Sequence, residues 1–267
     1  MKLTIGHLYP DLLNLYGDRG NIRCLQKRLQ WRGIGAEVLS LSSDSRIDFT
    51  KLDLVLLGGG SDREQELACR CLSKQKEAFQ NYVEQGGTVL AVCGGYQLLG
   101  IDYQTENVLL KGLGILDIHT KWKPRRLVGN IILHNPQVSS CPIVGFENHG
   151  GRTDIGSYTP FGKVISGCGN TETSGYEGII YKNVIGTYLH GPLLPKNPEI
   201  CDYLLKRALK QKYGASQTLG SLPDQLEHLA NRDIVKRFAP RTFIFFPSLY
   251  TKSKIPQQSE GASNKVS

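Results

Sequence analysis

Of the seven cysteines in this chain (Cys24, Cys69, Cys71, Cys93, Cys141, Cys168 and Cys201), Cys93 stands where a thiol could act. It closes the apolar run TVLAV and opens GGYQLLG, the pattern of a buried strand turning sharply into a helix. Such a turn projects the side chain from the carboxyl edge of a sheet, where open α/β sheets bind their ligands. The helix start offers unpaired N–H groups and a partial positive charge, so thiolate is expected to be favoured over thiol. Gly94 and Gly95 remove Cβ atoms that would crowd the elbow. The other six cysteines read as structural thiols. Their count with Cys93 is odd, their spacing irregular, and Cys69 and Cys71 are too close for a two-residue-gap zinc motif.

A sulfur nucleophile needs a base that also protonates the leaving group. His190 follows the apolar run VIGTYL and precedes Gly191-Pro192, so it is expected at a strand end. The fold can bring it to Cys93 across 97 residues. His149, in GFENHGGRT, is the rival, being polar-flanked and next to glycine. A tetrahedral intermediate needs two aimed donors. The Gly94 N–H, next to the nucleophile, is one. The run Gly58-Gly59-Gly60, one βα unit earlier, is the candidate source of the other.

The elements that must position these groups alternate. KLTIGHLY, AEVLSLS, DLVLLG and TVLAV read as strands, with a helix over about 20–32 and a long amphipathic stretch from Ser61 to Gln85 stopped by Gly86-Gly87. That order implies parallel βαβ units. From about residue 112 the runs ILDIHTKW, LVGNIILH, IVGFENHG, GIIYKN and VIGTYLHG read as short strands added antiparallel to the sheet. Asn197-Pro198 opens a further helix.

Composition narrows the function classes. With 40% hydrophobic and 21% charged residues the chain is an ordinary globular one. From Arg232 onward seven basic residues face two acids, so this tail holds +5 of the net +8. The body is nearly balanced, which argues against nucleic acid as a partner. No run approaches the roughly 20 apolar residues of a membrane span, the first residues do not form a signal peptide, and the free thiols fit a cytoplasmic protein. A G-x-x-x-x-G-K-[ST] phosphate loop is absent from the sequence.

The segment CGGYQLL resembles the C-x-G-x-Q core of class I (triad-type) glutamine amidotransferases, in the branch with the cobyric-acid-synthase glutaminase domains; Ala91 replaces the usual glycine before the nucleophile. LNLYGDRGNI, GGGSDREQ, GFENHGGRT and TYLHGPLLPKNPEI together resemble the GatD-type glutaminase subunits of lipid II isoglutaminyl synthase. That resemblance implies a flavodoxin-like α/β fold over residues 1–230; beyond it the pattern dissolves, and residues 231–267 read from their composition as a basic, disordered tail. It also implies hydrolysis of L-glutamine, with ammonia passed to a Mur-ligase-like synthetase subunit that amidates D-glutamate of lipid II. ATP and magnesium are then expected only in that partner, and no cofactor or metal here. By the same resemblance Gly60, with Gly59 as fallback, donates to the oxyanion, and Arg126 binds the substrate's α-carboxylate, which suits a guanidinium. Gln97 either hydrogen-bonds substrate or packs the elbow helix. Many class I enzymes carry a carboxylate two residues after the histidine; here it is Pro192. Glu147, Asp154 or a partner's acid could fill that role, which stays unassigned. Two alternatives stand: a glutaminase of a corrinoid-type pathway, and a non-catalytic binding subunit of the same fold.

Overall fold

The computed structural model describes residues 1–14, 18–106 and 108–243. The first half runs β1 (Lys2–Leu8), α1 (Arg19–Gln30), β2 (Gly35–Leu41), β3 (Leu54–Leu57), α2 (Asp62–Ser73), α3 (Lys76–Glu84), β4 (Thr88–Val92) and α4 (Gly94–Leu98). There follow β5 (Asp102–Gln104), β6 (Leu109–Lys111), β7 (His119–His134), β8 (Ile143–Asp154), β9 (Gly162–Ser166) and β10 (Tyr176–Glu177). The last elements are β11 (Ile179–Tyr181), β12 (Val184–Thr187), α5 (Pro198–Tyr213) and α6 (Gln225–Phe238).

Five strands run parallel in the order β2-β1-β3-β4-β12, and β11 pairs antiparallel with β12 at the edge. This is the strand order of flavodoxin-like sheets, in which ligands sit beyond the carboxyl ends. The expected fold class holds. β3, β4 and β12 are buried at every position, which is why each reads as an unbroken apolar run. VIGT, expected as an antiparallel addition, instead lies parallel to β4, with Thr187 opposite Val92. Both strands therefore finish at the same edge.

The other strands form a second, mainly antiparallel sheet, β10-β9-β7-β5-β6, in which β5 alone runs parallel to β7 and β8 also pairs with β7. Two predicted strands, ILDIHTKW and LVGNIILH, contribute to the single long β7. Its hydrophobic pattern breaks at Pro124-Arg125-Arg126, and its register against β8 shifts between Trp122 and Leu127. Trp122 faces Gly151 and Leu127 faces His149, so four residues of β7 oppose Gly150 alone. A wide bulge of this kind accommodates a proline and lifts the intervening side chains off the sheet.

The stretch from Ser61 to Gln85 is two helices rather than one. Ser61 and Glu64 form a reciprocal capping box at the start of α2. The break comes at Gln75, whose side chain accepts from the Ile47 N–H (2.6 Å) and donates to Ser45 O (3.2 Å). Regular structure also continues past residue 231. Along α6, Asn231 donates to Pro142 O at 2.9 Å and Val235 packs on Ile132 and Val144. The expected tail boundary therefore falls inside a docked helix, and residues 244–267, for which disorder was expected, lie outside the described residues. No helix among the described residues is long and apolar enough to cross a membrane.

Candidate active site

β4 ends in Cys93, whose φ of 52° and ψ of −107° are strained for a residue with a Cβ. Two neighbouring contacts hold it there. Cys93 N–H donates to Thr187 O at 2.8 Å, extending the β4–β12 pairing by one residue, and Gly95 N–H donates to Gly58 O at 3.0 Å. A Cβ on Gly95 would stand 2.4 Å from Leu57 O. Only glycine lets the elbow press this closely on the loop after β3.

That loop is tied from behind. Asp18, just ahead of α1 and 1% exposed, accepts from Gly59 N–H at 3.0 Å and faces Asn21. Gly59, the fallback oxyanion donor, is thus already engaged, whereas Gly60 lines the cavity over Cys93. Burial pushes the Asp18 carboxyl up to about 6, against the pull of the Gly59 N–H.

The cavity encloses about 460 Å³ and is walled by Gly60, Asp62, Gln97, Trp122, Arg126 and His149, among others. Cys93 itself is 8% exposed. Burial, reinforced by the Asp18 charge, pushes the thiol up to about 12, while the Gly94 N–H and the Arg126 cation pull the other way. The expected thiolate-favouring elbow is therefore a thiol in this state. The helix that follows is a single short turn, and its N–H groups do not offset desolvation.

His190 arrives three residues after β12. Its backbone exchanges two hydrogen bonds with Phe146 of β8, at 2.8 and 3.3 Å. The approach is fixed by Glu177, whose carboxyl accepts from Tyr188 N–H (2.6 Å) and the Thr187 hydroxyl (2.9 Å). Gly191, at φ 95°, then turns the chain away. The imidazole is buried, and desolvation with the nearby charges of His149 and Arg126 lowers it to about 3. It is neutral at rest. Arg126 thus acts electrostatically on both Cys93 and His190.

Arg126 leaves the β7 bulge and is braced by Asn148, through its side-chain oxygen at 3.0 Å and its carbonyl at 2.9 Å. Gln97 is engaged on both amide atoms, accepting from Gln65 (2.9 Å) and donating to Tyr188 Oη (3.2 Å). His149 stacks flat on Tyr188, 3.7 Å between centroids, with Nδ1–H donating to Gly151 O at 2.8 Å. A carbonyl only accepts, so the Nδ1 proton is fixed. Glu147 spends both oxygens on the amides of Cys168 and Gly169, and the exposed Asp154 accepts from Gly156 N–H. Glu147 Oε2 also lies 3.8 Å from His149 Nε2.

A family model for the CobB/CobQ-like glutamine amidotransferase domain matches residues 4–198. The chain belongs to that family. This amidotransferase is 48% identical over 214 residues to the "Lipid II isoglutaminyl synthase (glutamine-hydrolyzing) subunit GatD" of Staphylococcus aureus (strain N315), covering 79% of this chain and 86% of the relative. The identically named subunit of Streptococcus pneumoniae (strain ATCC BAA-255 / R6) is 39% identical, covering 84% and 87%. A cobyric acid synthase of Listeria innocua shares 39% identity over 153 residues, covering 54% of this chain but 29% of that longer protein. Among solved structures, the glutaminase domain of a Trypanosoma brucei CTPS with bound acivicin aligns at TM-score 0.48 and 11% identity, over 82% of this chain and 96% of that one.

Several residues that shape the amidotransferase site went unread in the sequence. Asp18 sits in the motif LNLYGDRGNI, where its neighbours carried the resemblance but nothing local marked it as a clamp. Glu177 is an isolated acid on the short strand β10. Gln65, which also lines the cavity, and Tyr188 belong to a network that ends at Thr153 and Thr120, with links of 2.5 and 2.8 Å. Only contacts distant in sequence reveal them.

Proposed function

We propose that this amidotransferase hydrolyses L-glutamine to glutamate and ammonia through a Cys93 thioester, as the glutaminase subunit of a lipid II isoglutaminyl synthase. One observation carries the reading: Cys93 N–H bonds to Thr187 O, and His190 follows three residues later at the same sheet edge. Neutral His190 takes the thiol proton as sulfur adds to the γ-carboxamide carbon. The N–H groups of Gly60 and Gly94 receive the oxyanion. The C–N bond then breaks, His190 protonates the leaving nitrogen, and ammonia departs. Water activated by His190 cleaves the thioester to glutamate and restores the thiol. Arg126 binds the α-carboxylate, and Gln97 forms the floor beneath it. His149, held between Tyr188 and Gly151 O, serves as a wall rather than the base.

The names of the two relatives covering most of this chain support the pathway. A Mur-ligase-like partner would consume ATP and magnesium and use the ammonia to amidate D-glutamate of lipid II. A thiol pushed up and an imidazole pushed down disfavour the ion pair, which fits a subunit idle until a partner reshapes the site. The test is ammonia release from L-glutamine by the chain with and without its synthetase. Cys93→Ala should abolish release and block labelling by a glutamine-like chloroketone. Unchanged turnover would sink the mechanism, and co-purification with a corrinoid synthetase would redirect the pathway.

A further inference from the structure

We propose that Asp62 binds the α-ammonium group of the amino-acid substrate, opposite Arg126. The assignment rests on the glutaminase reading and deepens it to a specificity determinant. L-Glutamine enters as a zwitterion, so a site that selects it must meet a cation as well as an anion. With its amide carbon at Cys93, the α-carbon lies about 4 Å away along two methylenes. The charged groups therefore meet the cavity wall rather than its floor. Of the described residues lining that wall, Asp62 alone carries a carboxylate; the cations are Arg63 and Arg126.

Asp62 is the first residue of α2, presented where the loop carrying Gly60 turns into the helix. An acid there is common simply because it complements the helix dipole. The capping box, however, is complete without it, being made by Ser61 and Glu64. Among the described residues, no hydrogen bond or ion pair engages the Asp62 carboxylate. Its charge nevertheless reaches the nucleophile, where it acts against the thiolate while Arg126 favours it. A substrate ammonium docked on Asp62 would cancel the first effect, so that correct binding itself eases the thiol toward ionisation.

The experiment compares L-glutamine with glutaramate, which keeps the carboxamide and carboxylate but lacks the ammonium. It measures ammonia release by the wild-type chain, with its synthetase, and by Asp62→Asn and Asp62→Glu variants. Losing one charge-assisted hydrogen bond should raise KM for L-glutamine about tenfold or more, with kcat within about twofold. KM for glutaramate should be high in the wild type and unmoved by Asp62→Asn, and Asp62→Glu should recover part of the loss. Unchanged KM for L-glutamine, or equal losses with both compounds, would overturn the assignment and leave Asp62 a helix-start residue. A wild type that hydrolyses neither compound would instead remove the glutaminase reading beneath it.

Discussion

The two sheets build the site by different means. The parallel sheet contributes backbone: Cys93 and the approach to His190 are fixed by two adjacent strand ends, and the glycine loop by one hydrogen bond to the elbow. The antiparallel sheet contributes side chains reaching over that edge, with Arg126 from the β7 bulge and His149 and Asn148 from β8. A backbone-defined centre tolerates little, because moving it means moving a strand. A side-chain wall can be edited one group at a time. Damage to the first sheet should therefore fall on kcat and folding, and damage to the second on KM.

The largest expected effect tests the first half. Gly95→Ala would place a methyl 2.4 Å from Leu57 O, against backbone that cannot move aside. We expect stability lower by several kcal/mol, or an elbow displaced enough to lose 10²-fold or more in kcat, estimates set by overpacking and by the cost of misplacing reacting groups. Gly129→Ala in β7, with nothing within 4 Å, is the control and should be silent. Equal tolerance of the two alanines, by urea midpoint and turnover, would erase the contrast between the sheets.

Arg126→Lys tests the other half. Lysine keeps the charge but cannot hold Asn148 through two nitrogens while presenting a fork to a carboxylate. KM for glutamine should rise about tenfold while kcat changes little, by the magnitude of one bidentate contact. A fall in kcat at constant KM would mean that Arg126 serves the thiol through its field rather than the substrate.

This division also explains what could be read from the sequence. Cys93, Gly94 and the strands β3 and β4 were legible because their signals are local: an unbroken apolar run, then a glycine pair. The direction of β12 was not, since an isolated VIGT carries no information about its neighbour. β7 looked like two strands because Pro124 and two arginines interrupt the pattern, although the backbone continues through a bulge. The helix break at Gln75 depends on Ile47 and Ser45, far off in sequence. The protonation state of Cys93 was misjudged because helix polarity shows in a sequence and depth of burial does not.

The smallest effect concerns the joint between the sheets. Glu177 belongs to β10, but its carboxyl bonds to Thr187 and Tyr188, on the path to His190. Fully buried, its carboxyl is pushed up to about 8 by desolvation, outweighing those two donors. In the unfolded chain it ionises in the ordinary carboxylate range, near 4.5. Between those values the unfolded state releases a proton that the folded state keeps, so folding loses stability as pH rises from about 4.5 to 8. Glu177→Gln removes that loss while its oxygen still accepts from Tyr188 N–H and its amide can donate to a rotated Thr187 hydroxyl. Urea midpoints of wild type and variant should converge or favour the wild type at pH 5, then favour the variant at pH 8. Buried groups that shift the opposite way, His7 and His190, are common to both proteins and cancel in the difference. Parallel curves would mean that Glu177 is ionised throughout, and that the joint is held by charge rather than by a protonated carboxyl.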